Sequence, residues 1–335
     1  MDGPATPRSQ RSNWWKPVLK WTLFVVVLTF IVQRALAMWR DAPAVDVELH
    51  SGWLLASAVT YALAWLPCVA FWRSMLAALG HRVSWRDAIH AYYVGHLGKY
   101  VPGKAMVLVL RASLLRTSGC PGRISAITAT YETLVTMGAG AAIVIVLAPV
   151  AAGDELWRRL PAWLQPLRDW SGLSGLLVLS MIAAGLPLIA RLFTRIARRM
   201  TPAEQAGAIP GISTGMLARG LAVVSLGWLL QAVSLGCTLH AVGAGEALVV
   251  DFPLWLLAVT ISTVGGFVVL VAPGGLGVRE FLLTETLLSN PALSGGLALI
   301  VAGLTRIIGF LTELFLAGVL TVWSRLRRRG QRDHR

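Results

Sequence analysis

Six apolar stretches decide what this chain can fold into. They run roughly over 18–38, 53–79, 125–150, 172–192, 217–241 and 296–322 of the 335 residues. A helix of about 20 apolar residues crosses a bilayer core of about 30 Å. Within lipid the backbone must satisfy its own hydrogen bonds, so runs of this length read as helices. The expected fold class is an all-α polytopic integral membrane protein. Charged residues make up 14% of the chain, against roughly 25% in soluble domains. The first run is too long for the core of a signal peptide and lacks a small-residue cleavage site before Arg40, so it reads as a permanent span.

The formal net charge is +14. In a soluble protein that would suggest nucleic acid, but here the cations cluster at the ends of spans, as in loops retained in the cytosol. Nucleic acid is therefore not an expected partner. Residues 1–17, with Arg8, Arg11 and Lys16, form a cytosolic N-terminal segment. The loop holding Arg82 and Arg86, the loop holding Arg195, Arg198 and Arg199, and the basic tail 324–335 also lie inside. The acidic "DAPAVDVELH" and "GEALVVD" lie outside, as does the charge-balanced loop 153–171. This places both termini in the cytosol and the protein in the plasma membrane, the inner membrane of a bacterium.

Two segments remain, 87–117 and 254–290. If either crossed once, the later basic loops would fall outside. If both enter and return on one side, every basic loop stays inside. In the first, "AIHAYYVGHL" and "AMVLVL" are each half a membrane or less at 1.5 Å per residue. The second has a first arm long enough to span, so a tilted full helix is also open there. The expected layout is six full transmembrane helices plus two re-entrant half-helix hairpins. It divides into a repeat over 18–152 and an inverted repeat over 172–323. Inverted repeats with broken helices meeting near the midplane are a transporter architecture.

The first break, "GKYVPGKA" over residues 98–105, imitates a nucleotide-binding P-loop. Its last position is Ala105, where a P-loop needs Ser or Thr for magnesium, and no strand precedes it. It reads as a Pro-Gly turn between helical pieces. Cys68, Cys120 and Cys237 are far apart and form neither a disulfide framework nor a zinc site. The six His residues show no HxxxH or HExxH spacing. No cofactor and no metal are expected.

"KYVPGK" followed by a basic helix, "PGGLGVRE", and the late intramembrane arginine of "LTRIIGF" resemble the transmembrane region of lysylphosphatidylglycerol synthases and its stand-alone, flippase-like relatives. "PGGLGVRE" carries most of the resemblance. In the first motif relatives often continue Pro-Gly-basic-Leu-Gly-acidic, whereas Lys104 here is followed by Ala105 and Met106. The resemblance implies the lipid-moving half of such proteins without the aminoacyl-transfer domain, which nothing after Arg325 could supply.

Charges inside a bilayer are costly and face a cavity or a partner. Around the first break, Lys99, Pro102, Gly103 and Lys104, with Arg111 two turns on, could offer an anion site at a half-helix N-terminus. Snorkelling of the two lysines to the interface is the alternative. Around the second, Pro273, Gly274, Gly275 and Gly277 permit positive φ or close approach, and Arg279 and Glu280 follow. Arg279 and Glu280 have Glu132 and Arg306 as candidate partners on adjacent spans. Arg306 and Glu313 share one side of the last span. Glu132, Glu285 and Glu313 are candidates for an ion network, which could be static. His96 and Glu285 could titrate. Trp65 and Tyr131 read as packing or interface anchors.

Three function classes are compatible with this pattern. One is a non-enzymatic protein that moves or gates an anionic lipid or other amphiphile between leaflets. A second is a non-transporting partner of a lipid-modifying enzyme or glycosyltransferase. The third is an integral-membrane lipid-headgroup enzyme, against which stands the lack of any nucleophile constellation or Asp pair. The partners considered are membrane lipids, chiefly anionic, a lipid-modifying enzyme and a second copy of the chain.

Overall fold

The structure, a computed structural model, describes residues 29, 33, 36, 40, 47–101, 105–152, 157, 171–199, 212–244, 248–269 and 273–333. The expected first span over 18–38 and most of the loop 153–171 lie outside the described residues, as do Pro102, Gly103 and Lys104. The bounded elements are α1 (Ser51–Ala64), α2 (Leu66–Ala78), α3 (Trp85–His96), α4 (Ala105–Arg116), α5 (Gly122–Ala151), α6 (Ser171–Arg199), α7 (Thr214–Ala241), α8 (Leu248–Val268), α9 (Val278–Leu287) and α10 (Gly295–Asp333). Short 3-10 turns stand at Leu97–Tyr100 and Pro273–Gly275. No strand occurs among the described residues.

Among the described residues, five helical stretches are long and apolar enough to cross a membrane: Ser51–Ala78, Gly122–Ala151, Thr214–Ala241, Asp251–Val268 and Gly295–Arg327. The first is α1 and α2 in tandem, interrupted at Trp65 because Pro67 sits in the opening turn of α2 and lacks the N–H a continuous helix would need there. The 29-residue α6 holds the remaining apolar run.

Helices α3 and α4 have 12 residues each, about 18 Å apiece. Between them lie the 3-10 turn at Leu97–Tyr100 and residues 101–104. Ser84 starts α3 by accepting the Asp87 N–H at 3.1 Å. The second segment differs from a symmetric hairpin. Its first arm, α8, has 21 residues, about 31 Å, which is membrane length, whereas α9 has only 10. The cause is composition: α8 carries no charged residue after Asp251, while the first arm of the earlier segment carries Arg86, Asp87 and His90.

The two sets of elements pack in the same pattern. Helices α3 and α4 lie against each other, as do α8 and α9. Helix α4 leans on α5, and α9 on α10. Across the set, α8 packs on α5 and α3 packs on α10, while the turn at 97–100 touches the turn at 273–275. Helices α1 and α7 make the central contact. There Ser57 Oγ lies 3.0 Å from Ser234 Oγ and 2.9 Å from Thr238 Oγ1. Hydroxyls and small residues of this kind join helices where lipid provides no hydrophobic drive. Trp72 and Trp228 are buried and satisfied, donating to Thr128 Oγ1 and to the Thr136 carbonyl, each at 3.0 Å.

The α1–α7 contact is close enough to exclude a methyl group. A Cβ on Gly227 would stand 2.7 Å from the Ala64 carbonyl oxygen, which is backbone and cannot swing aside. At Gly138 nothing lies within 4 Å. Gly227→Ala is therefore expected to destabilise the protein by about 1–3 kcal/mol, as overpacking does. Gly138→Ala should be neutral or slightly stabilising. Thermal unfolding of the two variants in detergent checks this; equal melting temperatures would contradict the close approach.

Candidate functional site

Four charged residues of the two broken segments, Lys99, Arg111, Arg279 and Glu280, line two neighbouring cavities, of about 350 Å³ and about 40 Å³. Lys99 and Arg279 line both. The larger is walled by α3, α4, α5, α8 and the Gly274–Gly275 turn, and its lining is mostly apolar apart from Lys99, Arg111, Glu132, Arg279 and a few hydroxyl and ring groups.

Two arginines are held by the same device. Arg111 on α4 lays its stem against Gly95 of α3, where a Cβ would stand 2.5 Å from Arg111 Cγ. Arg279 on α9 lays its stem between Gly266 of α8 and Gly275, where a Cβ would meet Arg279 Cγ at 2.8 Å. In each half a glycine of the first arm makes room for an arginine of the second. Gly274, Gly275 and Gly277 have φ of 59°, 72° and 81°, in the left-handed region that glycine tolerates. Glu280 then closes the start of α9 by accepting the Gly277 N–H at 2.6 Å.

The arginines differ in their partners. Arg111, its side chain 2% exposed, donates to Glu132 Oε2 at 2.8 Å. Tyr92 and Thr136 also donate to Glu132, at 3.0 and 3.2 Å. The Arg111 guanidinium lies 3.8 Å from the Tyr92 ring centre. This pair is buried and nearly complete; only Arg111 Nε lacks an acceptor. Arg306 Nε sits 3.2 Å from Glu280 Oε1, an ionic contact whose N–H is not aligned on the oxygen, and Arg306 Nη2 is buried with no partner. Arg279 donates to the Thr263 hydroxyl at 2.8 Å and has no carboxylate partner among the described residues.

Glu313 is the other fixed point. Its side chain is 1% exposed and accepts from Lys99 Nζ at 2.5 Å, Tyr61 Oη at 2.5 Å and Tyr100 Oη at 3.0 Å. His96 Nε2 lies 3.8 Å away. Lys99 therefore turns inward instead of reaching for an interface. Arg306 and Glu313 both face the interior, as their spacing implied, but each takes a separate partner. Glu132 pairs with Arg111 and not with Arg279 or Arg306. Glu285 lies on α9, half-buried, and lines neither cavity. Pro273 opens the second turn.

The tyrosines of the site carried no separate signal in composition. The spacing was informative: Tyr92, His96 and Lys99 stand at i, i+4 and i+7, one face of a helix. Trp65 is buried, as a packing residue would be, and also stands on the wall of the larger cavity. It is 4.2 Å from the His96 ring centre, and its indole N–H has no acceptor. Tyr131 is packing, stacked on Phe193 at 3.8 Å.

Removing one member of the Arg111–Glu132 pair strands a buried charge. Glu132→Gln is expected to cost about 3–5 kcal/mol of stability. The double variant Arg111→Met/Glu132→Leu, which removes both charges, should recover most of it. Thermal melts of the single and double variants decide the point; a double variant as unstable as the single would count against a self-compensating pair.

No curated protein matches the chain. The sequence profile described as lysylphosphatidylglycerol synthase TM region matches residues 14–317, a range that contains both breaks, both cavities and every ion pair above. With its membrane-length helices and this match over nearly the whole sequence, the chain is an integral membrane protein of the lysylphosphatidylglycerol synthase TM region family.

Proposed function

We propose that the protein moves a lipid or other amphiphile with a singly anionic headgroup between leaflets. The observation that carries this reading is Arg279, a cation on the wall of a cavity inside a membrane protein with no carboxylate partner among the described residues. Around the two cavities stand Lys99, Arg111, Arg279 and Arg306 against Glu132, Glu280 and Glu313. Among the described residues one positive charge is left over. A phosphodiester carries one negative charge and would complete the balance, with acceptor oxygens for the unpartnered Nη2 of Arg306 and the indole of Trp65. The apolar remainder of the larger cavity, with Leu108, Leu134, Met137 and Phe267, suits the start of a hydrocarbon tail.

In this reading α3–α4 and α8–α9 are the two broken-helix segments of an inverted repeat, alongside six full spans. The repeated packing and the repeated arginine-on-glycine seat support it. Both termini face the cytosol of a bacterial cell whose inner membrane holds the protein. The chain acts without enzymatic chemistry of its own, and a lipid-modifying enzyme is the partner class that would supply or use its lipid.

Two experiments bear on this. In liposomes, Arg279→Gln should slow movement of headgroup-labelled phosphatidylglycerol by about ten- to a hundred-fold, the worth of one charge-assisted contact. Phosphatidylcholine movement should change much less. Unaltered phosphatidylglycerol rates in a folded Arg279→Gln protein would remove the basis of the proposal. For topology, a single cysteine at Gln331 should react only with reagents that reach the cytosol; labelling from the periplasm would overturn the orientation.

A further inference from the structure

Helix α6 carries a second cationic site, remote from the two cavities above. Its last turns present Arg191, Arg195, Arg198 and Arg199 to a separate cavity of about 780 Å³, bordered on the other side by Ile212, Ser213 and Thr214 at the start of α7. The spacing i, i+4, i+7, i+8 puts all four on one face. No carboxylate lines this cavity among the described residues.

The floor beneath the arginines is built, not incidental. The Ile212 N–H donates to Thr194 Oγ1 at 2.9 Å, tying the start of α7 to α6. Ala190, Phe193 and Ile212 are buried under the cavity. The Tyr131 hydroxyl of α5 donates to the Phe193 carbonyl at 2.9 Å, so this end of α6 is docked on the rest of the protein. A scattered belt of snorkelling arginines would need neither a shared cavity nor a fixed floor.

The same face of α6 changes character along its length. Leu177, Met181, Leu188 and Leu192 are exposed on it, 50–71% accessible, and continue at helical spacing into Arg195 and Arg199. An apolar track that ends in clustered cations has the outline of a phospholipid, with tails along the leucines and an anionic head at the arginines. Four cations in one cavity, with no carboxylate lining it among the described residues, exceed what a single phosphodiester balances.

We infer that this face of α6 docks an anionic phospholipid whose headgroup carries two phosphates. It is held there as a bound companion and is separate from the amphiphile in the central cavity. With the basic turns of α6 at the membrane surface, as the charge pattern of the loops implies, such a lipid would arrive from the leaflet itself and need not enter the protein.

The test uses purified, delipidated full-length protein in detergent. Its melting temperature is measured with added cardiolipin, phosphatidylglycerol, phosphatidylcholine or inorganic pyrophosphate. Cardiolipin should raise it more than phosphatidylglycerol at equal phosphate, and phosphatidylcholine and pyrophosphate should leave it unchanged. Arg195→Gln/Arg198→Gln alters two exposed side chains, so the fold should survive, and cardiolipin binding should weaken at least about tenfold. Arg325→Gln/Arg327→Gln, which removes the same charge elsewhere, should keep the shift, as should Arg279→Gln. An undiminished shift in Arg195→Gln/Arg198→Gln overturns the site. Equal loss in Arg325→Gln/Arg327→Gln reduces it to diffuse surface charge. A shift produced by pyrophosphate alone refutes docking of a whole lipid.

Discussion

Glu313 accepts hydrogen bonds from three other residues because a charge placed inside a membrane protein must find its complement inside the protein. Lys99 and Tyr100 come from the turn after α3, Tyr61 from α1, and Glu313 itself from α10. Each of these segments would be polar and costly in lipid alone. Together they form a satisfied cluster that fixes where the first break stands relative to the last helix. Arg111 and Glu132 do the same between α4 and α5, and Arg306 and Glu280 between α10 and α9. The breaks in the helices are tolerable because cations near them are answered from unbroken neighbours.

Arg279 departs from that pattern. Lys99, Arg111 and Arg306, the other described cations of the centre, each have a carboxylate within 3.2 Å. The Arg279 stem is clamped between two glycines, and its head reaches only a neutral hydroxyl. Among the described residues it is the central charge left open, and the proposed anionic headgroup would be its complement. The glycine seat also explains why "PGGLGVRE" reads as one motif: the three positive-φ glycines turn the chain, and one of them supplies the wall against which the arginine lies.

Much of this was legible from sequence, and the unread parts share a cause. Long apolar runs give the spans directly, since length and hydropathy are local properties. The two breaks are local too: Pro-Gly before a short apolar segment, and a glycine-rich turn before Arg279 and Glu280. Pairing is not local. Lys99 meets Glu313 across 214 residues, and no spacing rule connects them. Arg111 and Glu132 lie only 21 apart, yet on different helices, so helical periodicity could not join them. The length of α8 was left open by sequence, because an apolar arm looks the same whether it stops midway or continues. The seats at Gly95 and Gly266 were invisible for a plainer reason: a glycine inside a helix gives no sign of what fills the space it leaves.

The separation of Lys99 from Glu313 has a consequence during synthesis. A ribosome adding about 5–20 residues per second needs roughly 10–40 s to go from one to the other. Through that interval the turn at 97–100 and Tyr61 have no carboxylate to receive them. The first broken segment therefore cannot settle as it is inserted. It must wait, shielded by lipid headgroups, insertion machinery or transient contacts, until α10 brings in the missing acid. The last helix thus acts as a checkpoint on the first half. A chain that stalls before residue 313 lacks the carboxylate that Lys99, Tyr61 and Tyr100 share.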